Sequence, residues 1–432
     1  MELSGWGRWP RLAAKPDWFE SQTQLARCLG RKGELIAHGL GRSYGDSALN
    51  KRVVLTGGFD CVEDFDPVSG LLTCQSGVSL ARLIEAFVPQ GWFLAVTPGT
   101  KFVSVGGAIA SDVHGKNHHQ AGCFSQAVES LELMLPSGEV VPCSRQENRE
   151  LFRATCGGMG LTGVILRARL RLKPIPGAFI RERIVVTRNL EETFQAFEDN
   201  REAPYSVAWI DCLARGELMG RSVLNLGRHE PDGRLELGPD RGLSLPLDLP
   251  GFFLNRLAMA LFNQVNYRWA ALGPRERVRH LEGFFYPLDL IGQWNRMYGR
   301  SGFTQYQLVL PKEASYLGLK AVLRRVTDSG LGAFLGVLKL LGPANDNHLS
   351  FPLEGYTLAL DFKIQKGLFP FLDELDRVVL DWGGRLYLTK DARMRPRVFR
   401  QGYPHWEKFA ELRERLGLKD KFNSLQSQRL GV

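Results

Sequence analysis

The chain has no CxxC pair, no apolar run near the roughly twenty residues that a bilayer-spanning helix needs, and no block of consecutive basic residues. Each lack removes a class of function. Its seven cysteines, at 28, 61, 74, 123, 143, 156 and 212, are odd in number and offer neither a disulfide framework nor a zinc site. They read as reduced thiols of a cytoplasmic protein. The opening residues, MELSGWGRWPRLAAKPDWFE, place no apolar core behind a basic region and so do not read as a signal peptide. Acidic residues are outnumbered, 46 against 55 Lys and Arg, which leaves a formal charge of +9 and favours anionic partners. Without a basic block or a nucleic-acid motif spacing, that charge does not point to nucleic acid. No segment recurs at a fixed period, so a repeat architecture is also excluded.

What the chain has in quantity is glycine, 47 residues, and much of it falls in three separated loops. The first follows an apolar strand-like run and reads His38-Gly39-Leu40-Gly41-Arg42-Ser43-Tyr44-Gly45. A crossover dinucleotide fold needs a helix opening at such glycines and a second strand ending in an acid about twenty residues on. Here the next strand-like run, Val53-Val54-Leu55, begins eight residues after Gly45, so no crossover helix fits. Gly115-Lys116 is no P-loop either, because Ala110 and Asn117 stand where a glycine and a hydroxyl residue are required. An ordinary turn at a strand end stays open for Gly39, Gly41 and Gly45. The second loop runs through Thr97, Pro98 and Gly99 to Gly106, Gly107, Ala110, Ser111, His114, Gly115 and Asn117. The third holds Gly160 and Gly163 and feeds Val164 and Ile165. Three such segments suggest an extended cofactor, a dinucleotide, approached closely by backbone N–H donors.

Between these loops the periodicities are local and readable. Helices are predicted from Ser21 to Leu29, closed by Gly30, and behind Ser79 over Leu80, Leu83, Ile84 and Phe87. Hairpins are predicted at 61–75 and 130–143, and Ser144 with Glu147 predicts a capping box for a helix reaching Thr155. From Val164 to Leu172, apolar residues alternate with Arg167, Arg169 and Arg171, the pattern of a half-buried strand. Pro174 and Pro176 mark the end of a first domain. Lys390 follows another strand-like run, Leu386-Tyr387-Leu388-Thr389.

Taken together, SGWGR at 4–8, HGLGRSYGD at 38–46, TPGT and GGAIASDVHGKNHH within 97–119, GGMGLTG at 157–163, WNRMYG at 294–299, QYQ at 305–307, KLLGP at 339–343 and GGRLYLTKDAR at 383–393 carry a resemblance. The chain resembles the FAD-binding oxidoreductases of the vanillyl-alcohol oxidase (PCMH) type, and within them the oxidases of polyprenyl-phosphoryl ribose. The resemblance implies an α+β fold in which an FAD domain, 1–175 plus 385–432, encloses an antiparallel-sheet substrate domain, 176–384. It implies that the loop from Gly39 to Gly45 cradles the FAD pyrophosphate and that the flavin is noncovalent, since Arg42 stands where covalently flavinylated relatives carry a histidine. It matches Lys390, His114, Lys116 and Tyr387 to catalytic positions, with Lys390 also beside the flavin. Tyr44, Gln305, Gln307, Lys339, Thr357, Ala359 and Tyr387 match substrate-side positions, and Trp209 is expected nearby. Adjacent histidines, His118 and His119, point apart in a strand with no acid cluster beside them, so no metal is expected.

The sequence departs from that pattern at Phe285-Tyr286-Pro287, at Thr357, where an asparagine is usual, and at Ala359, where a cysteine is usual. The implied activity is oxidation of the 2'-hydroxyl of a lipid-linked phosphoryl ribose to the 2'-keto sugar. A short-chain reductase would complete the epimerisation to the arabinose donor. Oxidation of a soluble alditol or sugar lactone is the alternative, and a catalytically inactive flavin-binding interaction protein is a third reading, against which HGKNHH and LYLTKD both speak. The apolar residues 249–254 and 257–262, flanked by Arg256, Arg268, Arg275, Arg277 and Arg279, suit peripheral membrane contact as well as a buried helix.

Overall fold

Alternation along Val164–Pro174 builds the centre of the first sheet. In the computed structural model, which describes residues 1–238, 243–250 and 255–432, Leu166, Ala168, Leu170 and Leu172 are buried while Arg169 and Arg171 are exposed. The sheet is antiparallel and runs in the order Val140–Ser144, Val128–Met134, Val164–Pro174, Leu71–Gln75, Val62–Asp66, with Trp92–Leu94 also paired to the central strand. A parallel three-stranded sheet, Lys15–Trp18, Arg52–Leu55 and Ile36–His38, lies earlier in the chain and delivers the first glycine loop. Helices Gln22–Gly30 and Leu80–Phe87 begin at Ser21 and Ser79, whose hydroxyls accept the backbone N–H groups of Gln24 and Arg82.

One expected cap falls elsewhere. The Ser144 hydroxyl accepts the N–H groups of Gln146 and Glu147, at 3.1 and 2.9 Å, and so closes a turn at the strand end. The helix Arg149–Thr155 starts later, after Asn148 at φ 46°, a left-handed conformation that asparagine tolerates.

An eight-stranded antiparallel sheet occupies the middle of the chain. Its order is Glu276–His280, Phe179–Thr187, Ser222–His229, Tyr205–Ile210, Gly336–Leu341, Gly355–Lys363, Phe303–Pro311, Arg385–Leu386. Helices Leu190–Glu198, Lys312–Ser329 and Leu368–Asp381 pack against it. The fold is thus α+β. The strand expected to reach Thr389 stops early: Arg385 and Leu386 pair with Val309 and Leu308, and the last contact with that neighbour is Tyr387 N–H to Gln307 O (2.9 Å). The backbone then tightens into a 3-10 turn, Leu388–Lys390.

The last segment returns to the N-terminal part. Leu35 bridges Phe422, Leu425 N–H donates to Leu49 (2.7 Å), and Arg429 spans Asp46 and Asp391 at 2.8 and 2.9 Å. His118 and His119 lie on a one-turn helix, His118–Ala121, not in a strand, because the N–H groups of Gln120 and Ala121 both return to Asn117. Among the described residues no helix is long and apolar enough to cross a membrane.

Candidate functional site

The glycine loops and the inner face of the eight-stranded sheet enclose a cavity of about 1740 Å³, counted out to its open mouth. Gly39, Leu40, Gly41, Arg42, Ser43 and Tyr44 line one side. Gly41 takes φ +64°, the left-handed turn that lets the loop bend back after Ile36–His38. Pro98 and Gly99, then Gly106, Gly107, Ala110, Ser111 and His114, line a second side, and Gly160, Gly163, Val164 and Ile165 a third. Arg42 does not reach free into this space. Its guanidinium stacks 4.0 Å from the Trp6 ring centroid and 5.3 Å from that of Phe102.

The fourth side is polar. Gln305 and Gln307 project from one strand, Ala359 from its neighbour and Lys339 from the next, all into the cavity wall, because residues two apart on a strand share a face. Tyr387 and Lys390 join them from the C-terminal turn. That turn is held tightly: Tyr44 N–H donates to Thr389 O (3.0 Å), and a Cβ on Gly45 would stand 1.8 Å from Asp391 O. Lys390 therefore rests its ammonium 3.5 Å from the Tyr44 ring centroid.

Burial sets the electrostatics. It lowers Lys390 to about 7, against the opposing pull of Asp361, and lowers Lys339 to about 8. His114 is held neutral by burial, reinforced by Lys339, His118 and Lys390. Asp361, almost fully buried behind the wall, accepts from Gln305 Nε2 (2.6 Å) and Tyr298 OH (3.4 Å), and burial raises it to about 6. The Tyr387 phenol donates to Ser111 O at 3.0 Å.

Seven expected residues lie outside the cavity wall. Gly45 is pressed against the Asp391 backbone, and Gly115 against Thr97 O. Thr97 shares a hydrogen bond with Tyr286 OH (2.6 Å), and Asn117 donates to Ala95 O (2.8 Å). The Lys116 ammonium donates to the carbonyls of Phe284 and Phe285 and lies 4.7 Å over the Phe284 ring. Thr357 sits one hydrogen bond behind Gln307, and Trp209 lies on the strand beyond Val337. Conversely, Trp6, Ser76, Asp289, Trp294 and Leu335 line the cavity without having been singled out. Trp6 and Trp294 lie inside the quoted SGWGR and WNRMYG, the signal that could have found them.

The family described as FAD binding domain matches residues 16–144. Over 99% of its length the chain is 37% identical to the decaprenylphosphoryl-beta-D-ribose oxidase of Mycolicibacterium smegmatis, covering 97% of that protein. It is 33% identical to an uncharacterised Streptomyces coelicolor protein over 82% of this chain and 100% of that one. A D-arabinono-1,4-lactone oxidase of Yarrowia lipolytica is 34% identical over 24% of this chain and 19% of its own.

Proposed function

The chain belongs to the decaprenylphosphoryl-beta-D-ribose oxidase family of FAD-binding oxidoreductases, and from that premise we propose that it oxidises the 2'-hydroxyl of a polyprenyl-phosphoryl ribose to the 2'-keto sugar. FAD is its cofactor. The residues present fit that group: glycine loops bring bare backbone to the cavity, and Ser76 Oγ and His114 Nδ1 are buried there without a partner among the described residues. When bound, FAD supplies the acceptor for the hydride that leaves the carbinol carbon.

The chain's own residues do the rest. Gln305, Gln307 and Tyr44 hold sugar hydroxyls, and Lys339 neutralises the phosphate. Lys390 stabilises the negative charge that develops during oxidation, or in its neutral form takes the hydroxyl proton. The observation that carries this reading is the convergence of Lys339 and Lys390, with Gln305 and Gln307, on a cavity walled by the three glycine loops. FAD is assigned to 1–175 with 385–432, and the substrate to 176–384.

Three further features belong to the same proposal. The flavin is noncovalent, because Arg42 offers no linking nucleophile and is occupied by Trp6. The protein works in the cytoplasm against an anionic lipid surface, and its keto product passes to a short-chain reductase. Support for the lipid surface comes from the helix Arg256–Leu272, where Leu257, Leu261, Val265, Trp269 and Leu272 are exposed on one side while Met259 and Asn263 face inward. Of the apolar run expected to reach the membrane, residues 251–254 lie outside the described residues.

The test is anaerobic mixing of the holoenzyme with polyprenyl-phosphoryl ribose. Loss of the oxidised-flavin absorbance is expected; bleaching by soluble alditols or aldonolactones alone would overturn the substrate assignment.

A further inference from the structure

The cavity wall contains a chain of hydrogen bonds in which every proton can be placed. Thr357 Oγ1 lies 2.8 Å from Leu308 O, and a carbonyl oxygen can only accept, so the Thr357 hydroxyl proton is committed there. Thr357 Oγ1 must then accept from the group that faces it at 3.2 Å, which fixes that group as the amide nitrogen of Gln307. The same nitrogen stands 3.0 Å from His114 Nε2. Two donors cannot face each other at that distance, so Nε2 carries no proton. His114 is neutral and has one proton to place. It resides on Nδ1, which is buried and has no partner among the described residues.

We propose that Thr357 is a positioning residue which, through Gln307, locks His114 into the Nδ1–H tautomer, so that His114 donates to an oxygen of a bound group and does not accept the substrate proton. This rests on the reading of the cavity as a flavin and sugar site. It uses a residue at which this chain departs from its family pattern, and it narrows the choice of proton acceptor. Lys116 is already bound by the Phe284 and Phe285 carbonyls, and the Tyr387 phenol donates to Ser111 O. With His114 Nε2 occupied, Lys390 is the candidate left to take the proton.

The experiment is a long-range proton–nitrogen correlation spectrum of holoenzyme labelled in its histidines, with His114 assigned by the peak lost in His114→Gln. The Nδ1–H tautomer is expected in the wild type. Thr357→Val, which keeps the shape and deletes the acceptor, is expected to mix the tautomers and slow flavin reduction by about tenfold or more at unchanged FAD content. Thr357→Ser should restore both. An Nε2–H tautomer in the wild type, or an unchanged tautomer in Thr357→Val, overturns the proposal, and the wild-type spectrum decides alone if Thr357→Val does not fold. A shift of the Nδ1 proton on adding polyprenyl-phosphoryl ribose assigns the acceptor to substrate, and its loss of definition only in flavin-free protein assigns it to FAD. The tautomer of the holoenzyme and its response to Thr357→Val are read without substrate, so failure here is distinguishable from failure of the substrate reading.

Discussion

Lys390 is held from below by its turn and from the side by the Tyr44 ring, so deleting its charge need not disturb its neighbours. Lys390→Met should retain stoichiometric FAD and lose roughly a hundredfold or more in the rate of substrate-driven flavin reduction; stopped-flow reduction at the wild-type rate would make the lysine structural. Asp361 supplies a second lever. It raises the Lys390 pKa, so Asp361→Asn should move the Lys390 limb of the pH profile of flavin reduction to lower pH, and an unmoved limb would rule out the coupling. Stability should respond in the other direction. A carboxylate raised from 3.8 to about 6 stabilises the fold below its unfolded value and loses that contribution as pH rises through about 6. At pH 8 the ionised Asp361 is therefore a cost, and Asp361→Asn should melt no lower than wild type. At Arg42 the expectation is chemical: acid precipitation should release the flavin into the supernatant, and a yellow pellet that resists washing would show a covalent bond.

At the scale of the element, the helix Arg256–Leu272 makes the clearest prediction. Trp269 and Leu257 are each 83% exposed, and Phe262 stacks on Phe334 beside the cavity wall. Leu261→Glu with Trp269→Glu should abolish flotation with anionic liposomes while leaving FAD content intact, and wild-type protein that fails to float at low salt would remove the lipid surface. The elements legible in the sequence were those whose cause is local. Ser21 and Ser79 cap helices with their own hydroxyls, and the two hairpins turn where proline, serine and glycine require it. Residues whose orientation depends on distant partners were not legible in this way. Within HGKNHH, His114 turns into the cavity while Lys116 turns out to carbonyls 168 and 169 residues away. Nothing local to Thr97 announces Tyr286, 189 residues distant. The strand-like run before Lys390 leaves the sheet after Tyr387, whose N–H donates to Gln307 O (2.9 Å), and tightens into a turn that no local residue announces.

For the whole molecule, the C-terminal segment closes what the N-terminal segment begins. Arg429 is the cation between Asp46 and Asp391, both nearly buried. Arg429→Met should cost about 3–5 kcal/mol at neutral pH, because two buried carboxylates lose their counter-charge. Burial raises Asp46 to about 6, against the pull of Arg429, so the loss should be larger at pH 8 than at pH 5, where its protonation removes one charge. Thermal melts of both proteins at the two pH values check this, and equal losses would exclude the pair. The bond from Tyr44 N–H to Thr389 O also has a meaning in time. Chains are made from the N-terminus at about 5–20 residues per second, so the glycine cradle waits about 17–70 s for the turn that bears Lys390. Within that interval the second and third glycine loops are made, but the lysine and the segment that shuts the site in come only at its end. A ribosome that stops between the third glycine loop and Lys390 leaves all three loops without the lysine and without the segment that closes on them.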